Sequence, residues 1–311
     1  MSILASLKSK SSGPSGFGYA TSAEEVTRGI DLSGRTILLT GCNSGIGLET
    51  LRALALRGAR VIATGRTADK ARDACAAVAA GRDTLPLACD LGDPPSVRAC
   101  VAAVKKEGAP LAAVICNAGI MALPKLAQAF GYELQLFTNH VGHFILVTGL
   151  LDQLAEDGRV VITASNAHRR APAAGIEFDN LSGERGYDPW KAYGQSKLAN
   201  ILFAKQLARR LAGTRKTANA VHPGVIDTNI GRTLPGLSRM ALRIAAPLVL
   251  KTPAQGAATQ CYVATNPALA TVSGEYFSDC NRAEPQAIAS DQQLAARLWE
   301  TTEQIVARLP A

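Results

Sequence analysis

The chain has 311 residues, 47% hydrophobic and 19% charged, which is material for a sizeable core in one large α/β domain or two smaller ones. Its net charge of +8 comes from scattered residues, with only short pairs such as Lys105-Lys106, Arg169-Arg170 and Arg209-Arg210, so a solvated basic surface favouring small anions is expected and no nucleic-acid partner. Seven cysteines without a C-x-x-C pair point to neither a disulfide framework nor a zinc site, and no apolar stretch reaches the roughly 18 residues that span a bilayer.

A cytoplasmic protein with no integral membrane segment is therefore expected. The N-terminal stretch "MSILASLKSKSSGPSG" is rich in Ser and Gly and lacks a long apolar run, so residues 1–30 are expected to form a mobile extension. From Leu32 to about Ser165 the chain alternates strands and helices. "RTILLT" (35–40) has strand length, and Ile46, Leu48, Leu51, Leu54 and Ala55 then recur at helical spacing up to Gly58. There follow "RVIAT" (60–64), an alanine-rich helix near 68–80, "TLPLACD" (84–90), and a helix opened by Asp93-Pro94-Pro95-Ser96. "LAAVICN" (111–117), a long helical stretch near 126–155 and "RVVITAS" (159–165) complete the series. Continuous apolar strands between helices predict an α/β fold: one Rossmann-type, doubly wound parallel sheet of about seven strands with helices on both faces, a single domain over 31–311.

Three glycines, Gly41, Gly45 and Gly47, stand where the first strand feeds its helix. A turn without side chains lets backbone N–H groups and the helix dipole face a phosphate, and a pyrophosphate is the expected ligand, although the spacing G-x-x-x-G-x-G differs from the commoner dinucleotide fingerprint. Past the second strand, where NAD-binding folds place a carboxylate for the ribose diol, this chain has Arg66. A guanidinium suits a 2′-phosphate, so NADP(H) is expected over NAD(H).

Tyr193 and Lys197, in "KAYGQSKLAN", are four residues apart and share one face of a helix. The ammonium is expected to lower the phenol pKa, so that Tyr193 exchanges a proton with an alcohol or carbonyl oxygen. His140 and His143 are three apart without a further ligand at metal spacing, so packing roles and no metal site are expected. His168 is expected to shape the pocket and His222 to be structural. The segment 229–251 interleaves apolar residues with Arg232, Arg239 and Arg243 and reads as a substrate lid or as a peripheral membrane contact. The loop 169–190, with Phe178, Tyr187 and Trp190, is expected to add an aromatic wall.

Taken with these pieces, the chain resembles the short-chain dehydrogenases/reductases, and among them the retinol dehydrogenase and WW-domain oxidoreductase group. Motifs in order from "SAEEVTRGIDLSG" (22–34) to "SGEYFSDCNR" (273–282) carry the resemblance. It implies that "TGCNSGIG" (40–47) binds cofactor through Gly41, Asn43, Ser44, Gly45, Ile46 and Gly47, and that Asp90 and Leu91 of "CDL" lie against adenine. It assigns Asn117, Ala118 and Gly119 of "CNAG" to the adenine-ribose side, and Pro223, Gly224, Ile226 and Thr228 of "VHPGVIDT" to the nicotinamide end. The catalytic set it implies is Asn139, Ser165, Tyr193 and Lys197, with Lys197 also holding the nicotinamide ribose and Asn139 holding a water that links Lys197 to solvent. Relatives usually have two adjacent serines where this chain has Ala164-Ser165, which leaves one hydroxyl to serve. Membrane-bound members of the group carry an N-terminal apolar anchor that this sequence does not show.

The expected activity is NADP(H)-dependent hydride transfer to or from a hydrophobic aldehyde, ketone or alcohol; the alternative is an NADP(H)-binding redox sensor or scaffold without turnover. A homo-oligomer is compatible with the sequence.

Overall fold

The structure is a computed structural model that describes residues 12–78, 83–225 and 250–310. Residues 229–249 of the expected lid, with Ile226 and Thr228, lie outside the described residues. In chain order the principal elements are α1 (Ala23–Val26), β1 (Thr36–Thr40), α2 (Gly45–Leu56), β2 (Arg60–Gly65), α3 (Ala68–Ala77), β3 (Thr84–Ala88), α4 (Pro94–Glu107) and β4 (Leu111–Cys116). A small hairpin, β5 (Gln128–Ala129) and β6 (Tyr132–Glu133), leads into α5 (Leu134–Leu136), a π-helical turn (Phe137–Val141) and α6 (Gly142–Gly149). Then come β7 (Leu154–Thr163), a 3-10 turn (Asn166–Arg170), α7 (Pro189–Arg210), β8 (Thr217–His222), α8 (Pro253–Thr265), β9 (Tyr276–Ser278), β10 (Asn281–Arg282) and α9 (Gln292–Arg308).

The main sheet runs β10-β9-β8-β7-β4-β1-β2-β3. Seven of these strands are parallel, as the alternating pattern predicts, and the short β10 is an eighth strand added antiparallel to β9. Each strand of the sheet's middle serves two cores at once. On β1, Leu38 packs into one core with Val97, Val114 and Leu202, while Ile37 and Leu39 face the other with Leu51, Leu54 and Val161. A fully buried aliphatic side chain contributes about 1.5–3 kcal/mol, so a central strand that is apolar on both sides is held by both helical layers. In the first layer Trp299 of α9 meets Phe144 edge-on at 4.8 Å and Phe203 at 5.7 Å, which docks the C-terminal helix.

Two expectations change. The stretch 126–155 is not one helix: Phe130 (φ 52°) and Gly131 (φ 80°) form the tip of the β5–β6 hairpin, the helical part ends at Gly149, and β7 begins at Leu154. Positive φ at two successive residues cannot be accommodated in a right-handed helix. The segment expected as an extension is also bound to the domain from residue 12 onward. Phe17 packs edge-on against Tyr262 at 5.6 Å, and the Asn281 side chain accepts from Ser15 N at 3.0 Å and donates to Phe17 O at 3.0 Å. Ser22 and Glu25 close a capping box on α1, and Arg57, which caps the C-terminus of α2, donates to Thr27 Oγ1.

Candidate active site

The parallel strands deliver the expected residues to one edge of the sheet, their carboxyl ends. The glycine turn follows β1, Arg66 follows β2, Asp90 follows β3, Asn117–Gly119 follow β4, Ser165 follows β7 and Pro223–Gly224 follow β8. Strand order reverses between β1 and β4, and crevices form beyond the strands at such a switch point.

The glycine turn is held by its neighbours on both sides. Gly41 N and Cys42 N donate to Thr64 O of β2 at 2.9 and 3.1 Å, and Asn117 Nδ2 donates to Thr40 O and Gly41 O at 2.9 and 3.2 Å. Gly47 packs so tightly that a Cβ there would lie 2.0 Å from Gly41 O, so glycine is required by close approach. Asn43 and Ser44 are exposed, Gly45 and Ile46 are half-buried, and Ser44 makes no side-chain cap, which leaves the first-turn N–H groups of α2 without a capping partner from the Ser44 side chain. Arg66 is exposed two residues beyond Thr64, next to this turn. Asp90 Oδ1 accepts from Gly92 N at 3.0 Å, and the Leu91 side chain is buried in the core.

On the other side of the switch point, α7 presents Tyr193 and Lys197. Asp188 begins this helix by accepting from Trp190 N and Lys191 N at 3.0 and 2.7 Å, with Pro189 in its first turn. Ser165 caps the 3-10 turn, its Oγ accepting from Ala167 N at 3.2 Å, and it lies near enough to the Tyr193 phenol to lower its pKa. What lets the two meet is Gly194. A Cβ there would lie 2.7 Å from Ala167 O and 2.8 Å from Ala171 N, so the absence of a side chain allows the turn that carries Ser165 to lie directly on α7.

Burial pushes the Tyr193 phenol up to about 12, with Ser165 pulling the other way. The expected depression by Lys197 is thus not found in the protein itself. Lys197 is buried, donates to Thr163 O at 3.1 Å, and has its own pKa lowered to about 8 by burial. An ammonium that is itself poorly solvated loses its charge more readily, which limits what it can do for a neighbour.

Asn139 sits in the π-helical turn beside Gly119, where an added Cβ would be 3.0 Å from Asn139 Oδ1 and 3.4 Å from Lys197 Nζ. Its side chain is fully engaged: Oδ1 accepts from Ile120 N at 2.8 Å, and Nδ2 donates to Ile120 O and Ser196 Oγ, each at 2.9 Å. Its backbone carbonyl accepts from His143 Nδ1 at 3.0 Å. His143 Nε2 lies 2.9 Å from Thr40 Oγ1, and Thr40 Oγ1 accepts from Ala118 N at 3.0 Å, so His143 joins the end of β1 to the Asn139 turn. His140 instead faces Thr302 in the core.

Of the expected aromatic wall, Trp190 stands edge-on to Tyr193 with ring centroids 6.2 Å apart, Tyr187 donates to Leu123 O, and Phe178 packs against the core under Arg297. His168 is buried beneath Ser165 instead of lining an open pocket. Three residues not singled out from sequence help build the site. Gln260 of α8 donates to Asn117 Oδ1 at 3.2 Å, and Asn200 donates to Thr163 O beside Lys197 at 2.9 Å. Lys251, ion-paired to Asp279 at 2.5 Å, donates from its backbone N to Val225 O at 2.8 Å and so braces the Pro223–Gly224 turn. Asn200 could have been found from sequence, three residues past Lys197 on the same helical face; Gln260 and Lys251 come from distant segments and carry no local signal.

The family model described as short chain dehydrogenase matches residues 35–235. The chain is 40% identical over 310 residues to the short-chain dehydrogenase TIC 32 A, chloroplastic, of Brassica napus, covering 96% of this chain and 97% of that one. It is 37% identical over 292 residues to retinol dehydrogenase 14 of Mus musculus, covering 88% and 86%. A short chain dehydrogenase from Burkholderia cenocepacia solved in complex with NADP superposes with a TM-score of 0.62 at 27% identity, covering 79% of this chain and 96% of that one. A phenol and a hydroxyl brought together at the switch point of a parallel sheet, in a chain matched by this family over most of its length, make the protein a member of the short-chain dehydrogenase family of oxidoreductases.

Proposed function

We propose that the protein is an NADP(H)-dependent oxidoreductase that transfers hydride between nicotinamide and a hydrophobic aldehyde or ketone, or the corresponding alcohol. The observation that carries this reading is the convergence of Ser165, Tyr193 and Lys197 from two separate segments, with Ser165 beside the buried phenol and acting on its pKa.

The residues present suit a dinucleotide. A turn closed to side chains at Gly47, helix N–H groups without a Ser44 cap, and the exposed Arg66 guanidinium form a donor set for a pyrophosphate and a 2′-phosphate. Gly41 to Gly47, Arg66, Asp90, Asn117 to Gly119 and Pro223-Gly224 would hold it, and when bound it supplies the hydride. The relative solved with NADP supports the same preference.

The chain's own residues handle the proton and the oxygen. Ser165 would donate a hydrogen bond to the substrate oxygen and stabilise charge developing there. Tyr193, protonated at neutral pH like any phenol and more firmly so on burial, would give its Oη proton to that oxygen in carbonyl reduction and take it back in alcohol oxidation. Lys197, held by Thr163 O, would hold the nicotinamide ribose hydroxyls beside the phenol. Three of the four exposed large hydrophobic residues among those described belong to this region: Trp190 stands edge-on to Tyr193, Met121 lies two residues past Gly119 and Val225 follows Gly224. They are exposed by 43%, 48% and 54%, and an apolar rim of this kind suits a hydrophobic substrate. The retinol dehydrogenase relative supports that class, and no described helix is long and apolar enough to cross a membrane.

The test is to supply purified protein with NADPH and then NADH together with medium-chain aldehydes, aromatic ketones and retinal, following cofactor oxidation. Turnover with NADPH on apolar carbonyls is expected. Tight NADPH binding without turnover on any of them would overturn the reading in favour of a sensor or scaffold.

A further inference from the structure

His168 is fully buried three residues beyond Ser165, and both of its ring nitrogens have partners whose roles are chemically fixed. Nδ1 lies 2.7 Å from Ser165 O, which can only accept, and Nε2 lies 3.1 Å from Gln286 N, which can only donate. The ring is therefore neutral and carries its proton on Nδ1. Gln286 grips the same residue a second time, its Nε2 donating to His168 O at 2.8 Å.

The neighbouring bonds run the same way. Tyr276 Oη donates to Asn166 Oδ1 at 3.2 Å, and Arg169 donates to Glu284 O at 3.0 Å. The Tyr276 ring meets His168 edge-on at 5.5 Å. Asn166, His168 and Arg169 of the turn that Ser165 caps are thus each fastened to the segment 276–286, some 110 residues away in sequence. Ser165 O itself takes two bonds from His168, from its backbone N at 3.0 Å and from its ring.

We propose that His168 is a positioning residue for the reaction: as the neutral Nδ1–H tautomer it fixes the Ser165 backbone, and through Gln286 it makes the segment after β9 part of the device that aims the Ser165 hydroxyl at the substrate oxygen. This rests on the reading of Ser165 in the proposed function. A displacement of about 1 Å in a positioned group costs on the order of a hundredfold in rate, whereas the glycine turn at 41–47 and Arg66, which would hold the phosphates, lie outside this set of contacts.

The experiment compares Ser165→Ala, His168→Phe, His168→Asn, His168→Gln and Gln286→Pro in the full chain, measuring kcat and KM for NADPH-dependent reduction and NADPH binding by nicotinamide fluorescence. Asparagine can return a donor to Ser165 O near the position of Nδ1; glutamine reaches only toward Nε2. Gln286 has φ −61°, which proline adopts, so that variant removes both Gln286 bonds to His168, the backbone N–H to Nε2 and the side-chain amide to the carbonyl, while leaving the His168 side chain in place. The expected result is a loss of kcat of about a hundredfold in His168→Phe and His168→Gln, recovery to within about tenfold in His168→Asn, a loss of about tenfold in Gln286→Pro, and NADPH affinity within twofold throughout. Imidazole 15N shifts of the native chain should report the neutral Nδ1–H form at pH 7.

Equal kcat in the Asn and Phe variants, an unchanged rate in Gln286→Pro, or an Nε2–H or cationic ring would overturn the proposal. If His168→Phe does not fold, the Asn, Gln and Gln286→Pro variants still decide it. Unchanged turnover in Ser165→Ala would instead show that the role given to Ser165 is wrong, and the proposal would fall with it.

Discussion

Lys197 stands over the face of the Tyr193 ring, its Nζ 5.6 Å from the ring centroid. The two side chains come from successive turns of α7, and both are buried, so each alters the other's surroundings without a direct hydrogen bond being formed between them among the described contacts. Tyr193→Phe keeps the ring packing and removes only the hydroxyl. Turnover is expected to fall at least about a hundredfold, with NADPH affinity within twofold, because proton transfer and not cofactor binding is lost. Retained turnover in this variant would show that another group supplies the proton.

The phenol itself should be slow to ionise. Burial holds Tyr193 at about 12, so the protein without added dinucleotide is expected to show no tyrosinate absorbance from this residue below pH 10. The difference between the titrations of the native chain and Tyr193→Phe at 295 nm isolates it. A transition in that difference near neutral pH would mean that Lys197 depresses the phenol after all.

Arg66 stands two residues beyond the β2 carbonyl that anchors Gly41. Arg66→Asp exchanges a partner for a 2′-phosphate for a partner of a ribose diol. NADPH affinity is expected to fall more than about tenfold while NADH affinity holds or improves, read by fluorescence titration of both. Equal losses would argue that Arg66 does not face the ribose.

The seam between α7 and the Ser165 turn offers a steric test. Gly194→Ala places a methyl group 2.7 Å from Ala167 O and 2.8 Å from Ala171 N, backbone atoms that cannot rotate away. The turn must retreat, and kcat is expected to fall by about tenfold or more with little change in NADPH binding. A variant with native kcat and native thermal stability would show that the seam yields without consequence.

Acid should destabilise the fold well before carboxylates protonate. Burial lowers His140 to about 3, and His143 and His222 to about 4, whereas each titrates near 6.5 when unfolded. Between those values the unfolded chain binds protons that the folded chain cannot. Stability is therefore complete above about pH 6.5 and is lost as pH falls toward 4, on the order of 1 kcal/mol per histidine per pH unit. Urea midpoints at pH 7 and pH 5 test this, and equal midpoints would contradict it.

Local sequence determined what depends on short-range geometry. Apolar runs of strand length define β1, β2, β4 and β7, glycines mark the turn at 41–47, and a spacing of four places Tyr193 and Lys197 on one face of α7, since backbone sterics and helical periodicity act within a few residues. The sequence reading failed where a local pattern had more than one solution. Helical spacing across 126–155 concealed a hairpin, and the position of Lys197 relative to Tyr193 said nothing of how burial weakens its charge. Only the tertiary structure decided that Gly194 lies against the Ser165 turn, that His143 links Thr40 to Asn139, that His168 is clasped by Gln286, and that Lys251 braces the Pro223–Gly224 turn. These contacts join residues brought together by packing of the whole sheet and its helices, and desolvation depends on every neighbour in space, so neither can be read from a stretch of chain alone.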